Sequence, residues 1–540
     1  MPSLLAVVEL SIMIAVAVFM PLRVFEAATR KISLQFHAIA RHKKLSAAIV
    51  GVLVLIIRIL LIPLLGIPEP RWHDEYSYLL AADTFAHARV TNPPHPMWIH
   101  FETFHVIQHP TYMSMYPPLQ GLYLAVGQIL GHRWIGQLLV TAAMCCAICW
   151  MLQGWLSAQW ALLGGVLAAL RLGIMSYWMN TYWAASAVAL AGALVIGALP
   201  RLKRRPHTSS ALAMGAGLVM LANSRPFEGF LLALAVLVAM IVAKPQLLIN
   251  SAMLPTALAL VIGALATGYF YHRVTGSAFV MTYQVNRSTY SRAPYFIWQE
   301  PQPAVKYNHP EMQRFYDREF HDYQNARTRH GFVARTGDKL FHLWEFYLGP
   351  LLTLPLIALP WAMRDRRLRF SLAAAGLLFA GAVVEVWTSP HYLAAGTGLF
   401  YLILIQCLRQ IQFWKFGPEI VSAIPIVACA MLVIRLIAIG LHAPLEPPWP
   451  RGDLQRAAIL RQLEHTPGEH LVMVHYDLDH DLDREWVYNP ADLNNSKVLW
   501  ARDLGRESNR ELIDYYSNRR IWCVDPDSSS TELRACSNNP

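Results

Sequence analysis

Two adjacent carboxylates, Asp74 and Glu75, stand about one helical turn beyond the end of a hydrophobic stretch at 46–67. A carboxylate at the water interface, partly desolvated between helix ends, has a raised pKa, and that suits a general base. The pair could instead do no more than start the next helix. YSYLLAADTFA is helix-like, and acidic residues favour helix N-termini.

Five histidines surround these acids: His73 upstream, then His95, His100, His105 and His109. Imidazole and carboxylate are common zinc and manganese ligands. The spacing matches no metal motif, however. Residues five apart do not share a helix face, and Pro93, Pro94, Pro96 and Pro110 impose irregular backbone. Loop packing is the reading of the histidines; no cofactor is expected, and a divalent metal is not favoured.

Cations at two further turns could meet an anion. Arg225 lies in NSRPFEG with Glu228 beside it, and His391 lies in TSPHY next to Tyr392. A charge at a membrane-facing turn is costly enough to need a partner, either Glu228 or an anionic head group. Arg273, Arg287, Arg292, Lys306 and His309 add positive charge in a long polar segment. A lipid phosphate would be drawn to several such turns together, whereas any one of them could simply snorkel to the interface. A glycine-rich nucleotide loop, an HExxH helix and a GxSxG elbow are all absent from the sequence.

The elements that must position these residues are membrane helices. Of 540 residues, 55% are hydrophobic and 15% charged, and the mean hydropathy is +0.33, more apolar surface than a soluble globule hides. A span needs roughly 20 apolar residues. About a dozen such stretches are expected, near 3–22, 46–67, 134–153, 157–176, 182–199, 209–223, 227–243, 249–270, 341–362, 370–387, 391–408 and 419–441.

The basic clusters fall on alternate connections, which sets the orientation. Residues 23–44 (with Arg23, Arg30 and Lys31), RLKRRP at 201–206, Lys244, RDRRLR at 364–369, and Arg409 with Lys415 are assigned to the cytoplasm. Segments 68–133 and 271–340, the turns at Asn180, Arg225 and His391, and the tail from 442 then lie outside. The stretch 3–22 lacks a basic leader, so it is expected to be a retained helix with its N-terminus outside. The net charge of +10 reports this topology, and no nucleic-acid partner is expected.

The expected organisation is an N-terminal helix plus basic segment (1–45), a transmembrane catalytic core (46–441) and an extracytoplasmic α/β domain (442–540). In that domain HLVMVHY, KVLWARDL and RIWCVD read as strands between two helices. Cys523 and Cys536 are the only cysteines outside the spans and could form a disulfide.

RWHDEYSYLLAADTFA, followed by a proline- and aromatic-rich loop ending in MYPP, resembles the membrane glycosyltransferases of the GT-C architecture. The likeness is to the protein O-mannosyltransferase and aminoarabinose-transferase group, and it is specific at HDE and loose elsewhere. It implies an all-α polytopic fold with a small C-terminal α/β domain, and an acidic motif in the first outside loop at Asp74 and Glu75. The implied reaction moves a sugar, with inversion, from a polyprenyl-phosphate carrier to a glycan, lipid or protein acceptor at the outer face of a bacterial inner membrane. Asp74 would be the base and Glu75 would orient the acceptor or tune its neighbour. NSRPFEG and SPHY look like phosphate-holding turns, which carries Arg225 and His391 over as donor contacts. The extra helix at 3–22 departs from the pattern but leaves the acidic loop outside. Two other classes stay open. A transporter or flippase would use intramembrane charges such as Arg58 and Glu385, and an envelope scaffold would bind a partner through the tail.

Overall fold

The computed structural model describes residues 4–19, 34–443, 452–528 and 531–536. Arg23, Arg30 and Lys31 of the first basic segment, and the chain immediately after residue 443, lie outside the described residues.

The protein is mostly helical. In chain order the main elements are α1 (Leu4–Phe19), α2 (Lys43–Leu60), α3 (His73–Ala86), the strands β1 (Val106–Ile107) and β2 (Met113–Ser114), α4 (Leu119–Ile129), α5 (Arg133–Trp155), α6 (Ala158–Ala168), α7 (Ala185–Arg204) and α8 (Thr208–Ala222). There follow α9 (Pro226–Ala243), α10 (Leu254–Thr275), α11 (Thr282–Tyr290), α12 (Pro310–Ala326), α13 (Arg329–Tyr347), α14 (Arg366–Val384), α15 (Thr397–Ile411) and α16 (Gly417–Gly440). The tail supplies α17 (Leu454–His465), β3 (His470–Val474), β4 (Val498–Arg502), α18 (Arg506–Tyr515), β5 (Arg520–Val524) and β6 (Arg534–Ala535).

Among the described residues, six helices are long and apolar enough to cross a membrane: α5, α7, α9, Ser251–Thr275, Pro390–Ile411 and α16. A seventh would be α13 taken with Gly349–Ala362, but the two meet at 97°. The stretch expected at 341–362 is therefore a sharp bend, made where Gly349 adopts φ 60° and Pro350 cannot continue a helix ladder. The remaining apolar helices are shorter or more charged. The 15 residues of α8 reach only about 22 Å against a hydrocarbon layer of about 30 Å. The 18-residue α2 carries Lys43, Lys44 and Arg58.

α5 and α7 form the buried centre, with α2, α4 and α8 packed around them. Outer helices keep apolar faces exposed. On α10, Leu258, Val261, Ile262 and Leu265 all point outward, as a surface facing lipid requires.

The tail folds as a four-stranded sheet in the order β4-β3-β5-β6, parallel across the first three strands and antiparallel at β6. A Cys523–Cys536 disulfide ties β5 to the residue after β6. The sheet seats on α3 and the loop that follows it. Tyr488 stacks on Tyr76 with ring centres 4.2 Å apart, and the Asp83 carboxylate accepts the Ala491 N–H at 2.8 Å. The Arg502 guanidinium donates to the Glu102 carbonyl at 2.7 Å while pairing with Glu485 and Glu311. A cavity of about 460 Å³ lies along this seam, lined by Tyr76, Asp83, Arg133, Asp453, Arg456 and Tyr488.

Candidate active site

Helix α3 starts without a side-chain cap from Trp72. Glu75 does that work from inside the first turn. One of its oxygens accepts the backbone N–H groups of Arg71 and Trp72 at 3.0 and 3.1 Å, and the other accepts the N–H of Tyr182 at 3.0 Å. Glu75 is 1% exposed. Burial is the largest influence on it and pushes its pKa up to about 7, against the pull of those three donors. Its place is in the framework, behind the neighbouring acid.

Asp74, one residue before Glu75 on the same helix, keeps 28% of its side chain exposed. Its carboxylate sits 2.8 Å from His105 Nδ1 and accepts the Tyr116 hydroxyl. Tyr116 Oη lies 3.2 Å from the same imidazole nitrogen. Burial would raise the pKa of Asp74, but the His105 imidazole, aided by Tyr116, outweighs it and holds the carboxyl well below the usual range. The acid stays ionised at neutral pH, the reverse of the raised pKa expected from the sequence, because His105 and Tyr116 favour its charged form.

A small hairpin delivers both partners. β1 pairs with β2 in the register Val106↔Ser114 and Ile107↔Met113, so His105 and Tyr116 flank its base. Ser77 of α3 pins the hairpin through a hydrogen bond to the His105 carbonyl at 2.7 Å and contact with Ser114 Oγ at 2.7 Å. His105 has φ 59°, a left-handed conformation that few residues other than glycine adopt, histidine more readily than most.

His73 completes this corner. Its ring lies 4.7 Å from that of His105, between Phe104 at 5.2 Å and Phe315 at 5.1 Å. Burial, then the neighbouring His105, lowers its pKa to about 4. The other loop histidines go elsewhere. His95 meets Asn494 and Tyr516, His100 meets the Arg502 carbonyl, and His109 packs edge-on to Trp98.

Across from Asp74 lies Arg225, at the start of α9. Its guanidinium covers the Tyr392 ring at 3.9 Å and approaches Glu228 at 3.7 Å. A tyrosine layer separates the two charges. Tyr116 stacks on Tyr78 at 4.4 Å and meets Tyr283 edge-on at 5.5 Å. Tyr78 and Tyr392 each lie within electrostatic reach of both Asp74 and Arg225. His391 borders the same space, with Nδ1 3.1 Å from the Tyr177 hydroxyl and its ring against Trp183. The cations of the segment 271–340 do not all converge. Arg287 is held by Glu319, Arg292 covers Phe320, and His309 pairs with Glu102 at 3.1 Å.

Arg58 is engaged at a helix end. It stands in the last turn of α2 and donates to Asn180 Oδ1 at 3.0 Å and the Gly66 carbonyl at 2.7 Å. This bonding ties the end of α2 to the residues that follow it and to Asn180.

Among the solved structures with some similarity to this chain are three of an archaeal enzyme. The apo oligosaccharyltransferase of Archaeoglobus fulgidus is 11% identical, with a TM-score of 0.47 over 80% of this chain and 62% of that one. The same organism's enzyme tethered to an acceptor peptide containing the NVT sequon gives 11% and 0.42, over 80% and 61% of the two chains. Its AglB in complex with an inhibitory peptide and a dolichol-phosphate gives 11% and 0.43, over 88% and 69%. The chain thus spans about 62% of the length of the first of these, and the likeness carries no residue roles. No family model and no curated protein matches the sequence.

Proposed function

We propose that the protein is a polytopic membrane glycosyltransferase of the GT-C type, which moves a sugar from a polyprenyl-phosphate carrier to an acceptor at the extracytoplasmic face. In this reading all of the apolar helices, including the shorter ones, lie in the bilayer and α3 and the hairpin lie at its outer surface. The observation that carries it is the pairing of an ionised, partly exposed carboxylate, Asp74, with the guanidinium of Arg225 across a layer of tyrosines. Displacement at an anomeric carbon needs both charges: one to take the proton of the attacking hydroxyl, the other to neutralise the departing phosphate.

Asp74 accepts the proton of the acceptor hydroxyl as that oxygen bonds to the anomeric carbon, and the sugar–phosphate bond breaks with inversion. Tyr116 and His105 hold the Asp74 carboxylate in place, and Glu75 fixes the helix turn that aims it. Arg225, with His391 at the edge of the same space, receives the phosphate charge. The tyrosine faces of Tyr78 and Tyr283 suit the apolar side of a sugar ring. The acceptor is a hydroxyl-bearing glycan, lipid or protein.

The test is release of polyprenyl phosphate from a panel of polyprenyl-phosphate sugars by wild type and by Asp74→Asn, both purified in detergent with matched thermal melts. Release by wild type alone supports the reading. Equal release by both proteins would remove Asp74 as the base, and no release from any donor would remove the lipid-linked sugar.

A further inference from the structure

We propose that His73, Asp74 and His105 form a binding site for one divalent ion of the first transition row, of the zinc or manganese class. One ligand atom from each residue can be chosen so that all lie within 4.8 Å of one another. Three donors around one ion at about 2.0–2.2 Å lie at most about 4.4 Å from one another, so the trio is already gathered to nearly that spread.

His73 supplies the second, independent observation. It is 6% exposed, and both of its ring nitrogens are buried without a hydrogen-bond partner. A neutral imidazole carries one donor and one acceptor, and leaving both unmet away from water costs a few kcal/mol, about 1–3 for each group. Phe104 and Phe315 close two sides of the ring. One of its nitrogens lies within reach of His105 and Asp74, where an ion would use its lone pair.

The donor set selects the ion. Two imidazoles and one carboxylate suit zinc, manganese or iron, and disfavour calcium and magnesium, which take oxygen ligands. Three protein ligands leave a coordination position free, as in sites that also hold a water or substrate. The exposed side of Asp74 gives that position its access. The ion would be held between Asp74 and His105 Nδ1, which stand 2.8 Å apart, leaving the second Asp74 oxygen for an acceptor hydroxyl. The hydrogen bond from Ser77 to the His105 carbonyl holds that ligand in its left-handed backbone conformation. The acidic trio Asp477, Asp525 and Asp527 offers no comparable site. Its members are exposed or half-exposed, and Asp527 is already engaged by His480 and the Asp477 N–H.

Metal binding is measured without a sugar donor, so this inference and the transfer reading fail separately. The full chain, with any affinity tag removed, is stripped with chelator and titrated with Zn2+ by calorimetry, and with Cu2+ for electron paramagnetic resonance. One ion per chain is expected, with hyperfine structure from two nitrogens in the wild-type Cu2+ spectrum. His73→Phe and His105→Gln are each expected to weaken Zn2+ binding at least about 10-fold, while Asp527→Asn leaves it unchanged. The Cu2+ spectrum of the wild type needs no variant to fold. A spectrum with oxygen ligation only, or Zn2+ affinity unaltered in a folded His73→Phe protein, would overturn the site.

Discussion

His105 Nδ1 stands 2.8 Å from the Asp74 carboxylate, two side chains brought together by a hairpin that α3 pins through Ser77. The pair holds Asp74 ionised, so the consequence of removing its charge is chemical more than structural. Asp74→Asn is expected to lower the transfer rate by about 10²–10⁴-fold, the range for a lost acid–base group. The melting temperature should move by only a few degrees. Single-turnover assays alongside thermal melts check this; a variant with half the wild-type rate would exclude Asp74 as the base.

Arg225 requires a different design, because it also neutralises buried Glu228. Truncation to alanine strands that carboxylate, which costs about 3–5 kcal/mol and confuses loss of fold with loss of function. Arg225→Lys keeps the charge and loses the planar fork. It is expected to melt near wild type and to fall at least about 10-fold in kcat/KM for a lipid-phosphate donor. The pair Arg225→Met with Glu228→Gln should fold and be inactive. Activity in that double variant would free Arg225 of any role at the phosphate.

The C-terminal domain is coupled to the first loop through carboxylates, which gives docking a pH dependence. Burial raises the pKa of Glu485, but the Arg502 guanidinium prevails and holds it below the usual carboxylate range. Glu102 is likewise held low, with His309 and Asn308 outweighing burial. A depressed folded-state pKa gives stability that is fully present above the ordinary carboxylate value of about 4.5. That stability is lost as pH falls through the folded values. Hydrogen exchange in residues 95–116 should therefore stay slow from pH 8 to about 5 and quicken below about 4. Arg502→Met, which leaves Glu485 unpaired, should bring that exchange forward even at pH 7. Slow exchange in Arg502→Met at pH 7 would show that the domain is held by its apolar seam alone.

Much of this framework was legible in the sequence. Most of the long apolar stretches form helix, although the one at 341–362 is broken by a sharp bend, and HLVMVHY with its two companion runs builds the parallel sheet of the tail. α4 was hidden within the segment read as an outside loop, because 11 residues after Pro117 and Pro118 are too few for a span. The site itself was legible only in part. Asp74 and Arg225 could be singled out as charges where charge is costly. The meeting of His73, Asp74, His105 and Tyr116 could not, because it depends on a two-residue-strand hairpin whose proline-containing loop resembles irregular chain. The visible signal was FHVIQHPTYMSMY, in which two short runs of strand-forming residues flank His109 and Pro110. Glu75 looked equal to Asp74 from spacing; only the three backbone N–H groups converging on it separate the two.

The last prediction concerns the contact that sets α3 and α4 in place. α4 crosses α5 where Gly127 meets Gly136, and the approach is closer than any side chain allows. A Cβ on Gly136 would fall 2.0 Å from the Tyr123 carbonyl oxygen, and one on Gly127 would fall 2.3 Å from the Gly136 nitrogen. Both obstacles are backbone, so no rotamer change relieves them and the helices must separate. Because α4 packs along α3, which bears Asp74 and Glu75, the separation reaches the candidate site. Gly136→Ala should lower stability by at least about 1–3 kcal/mol, the usual cost of overpacking, and reduce transfer in parallel. The matched control is Gly376→Ala in α14, where a Cβ meets nothing within 4 Å. That change should be neutral or stabilise by up to about 1 kcal/mol through helix propensity. Thermal melts of the two variants in the same detergent decide the matter. Equal melting would mean that the helices can part at Gly136 without cost, and that the crossing does not position the acidic turn.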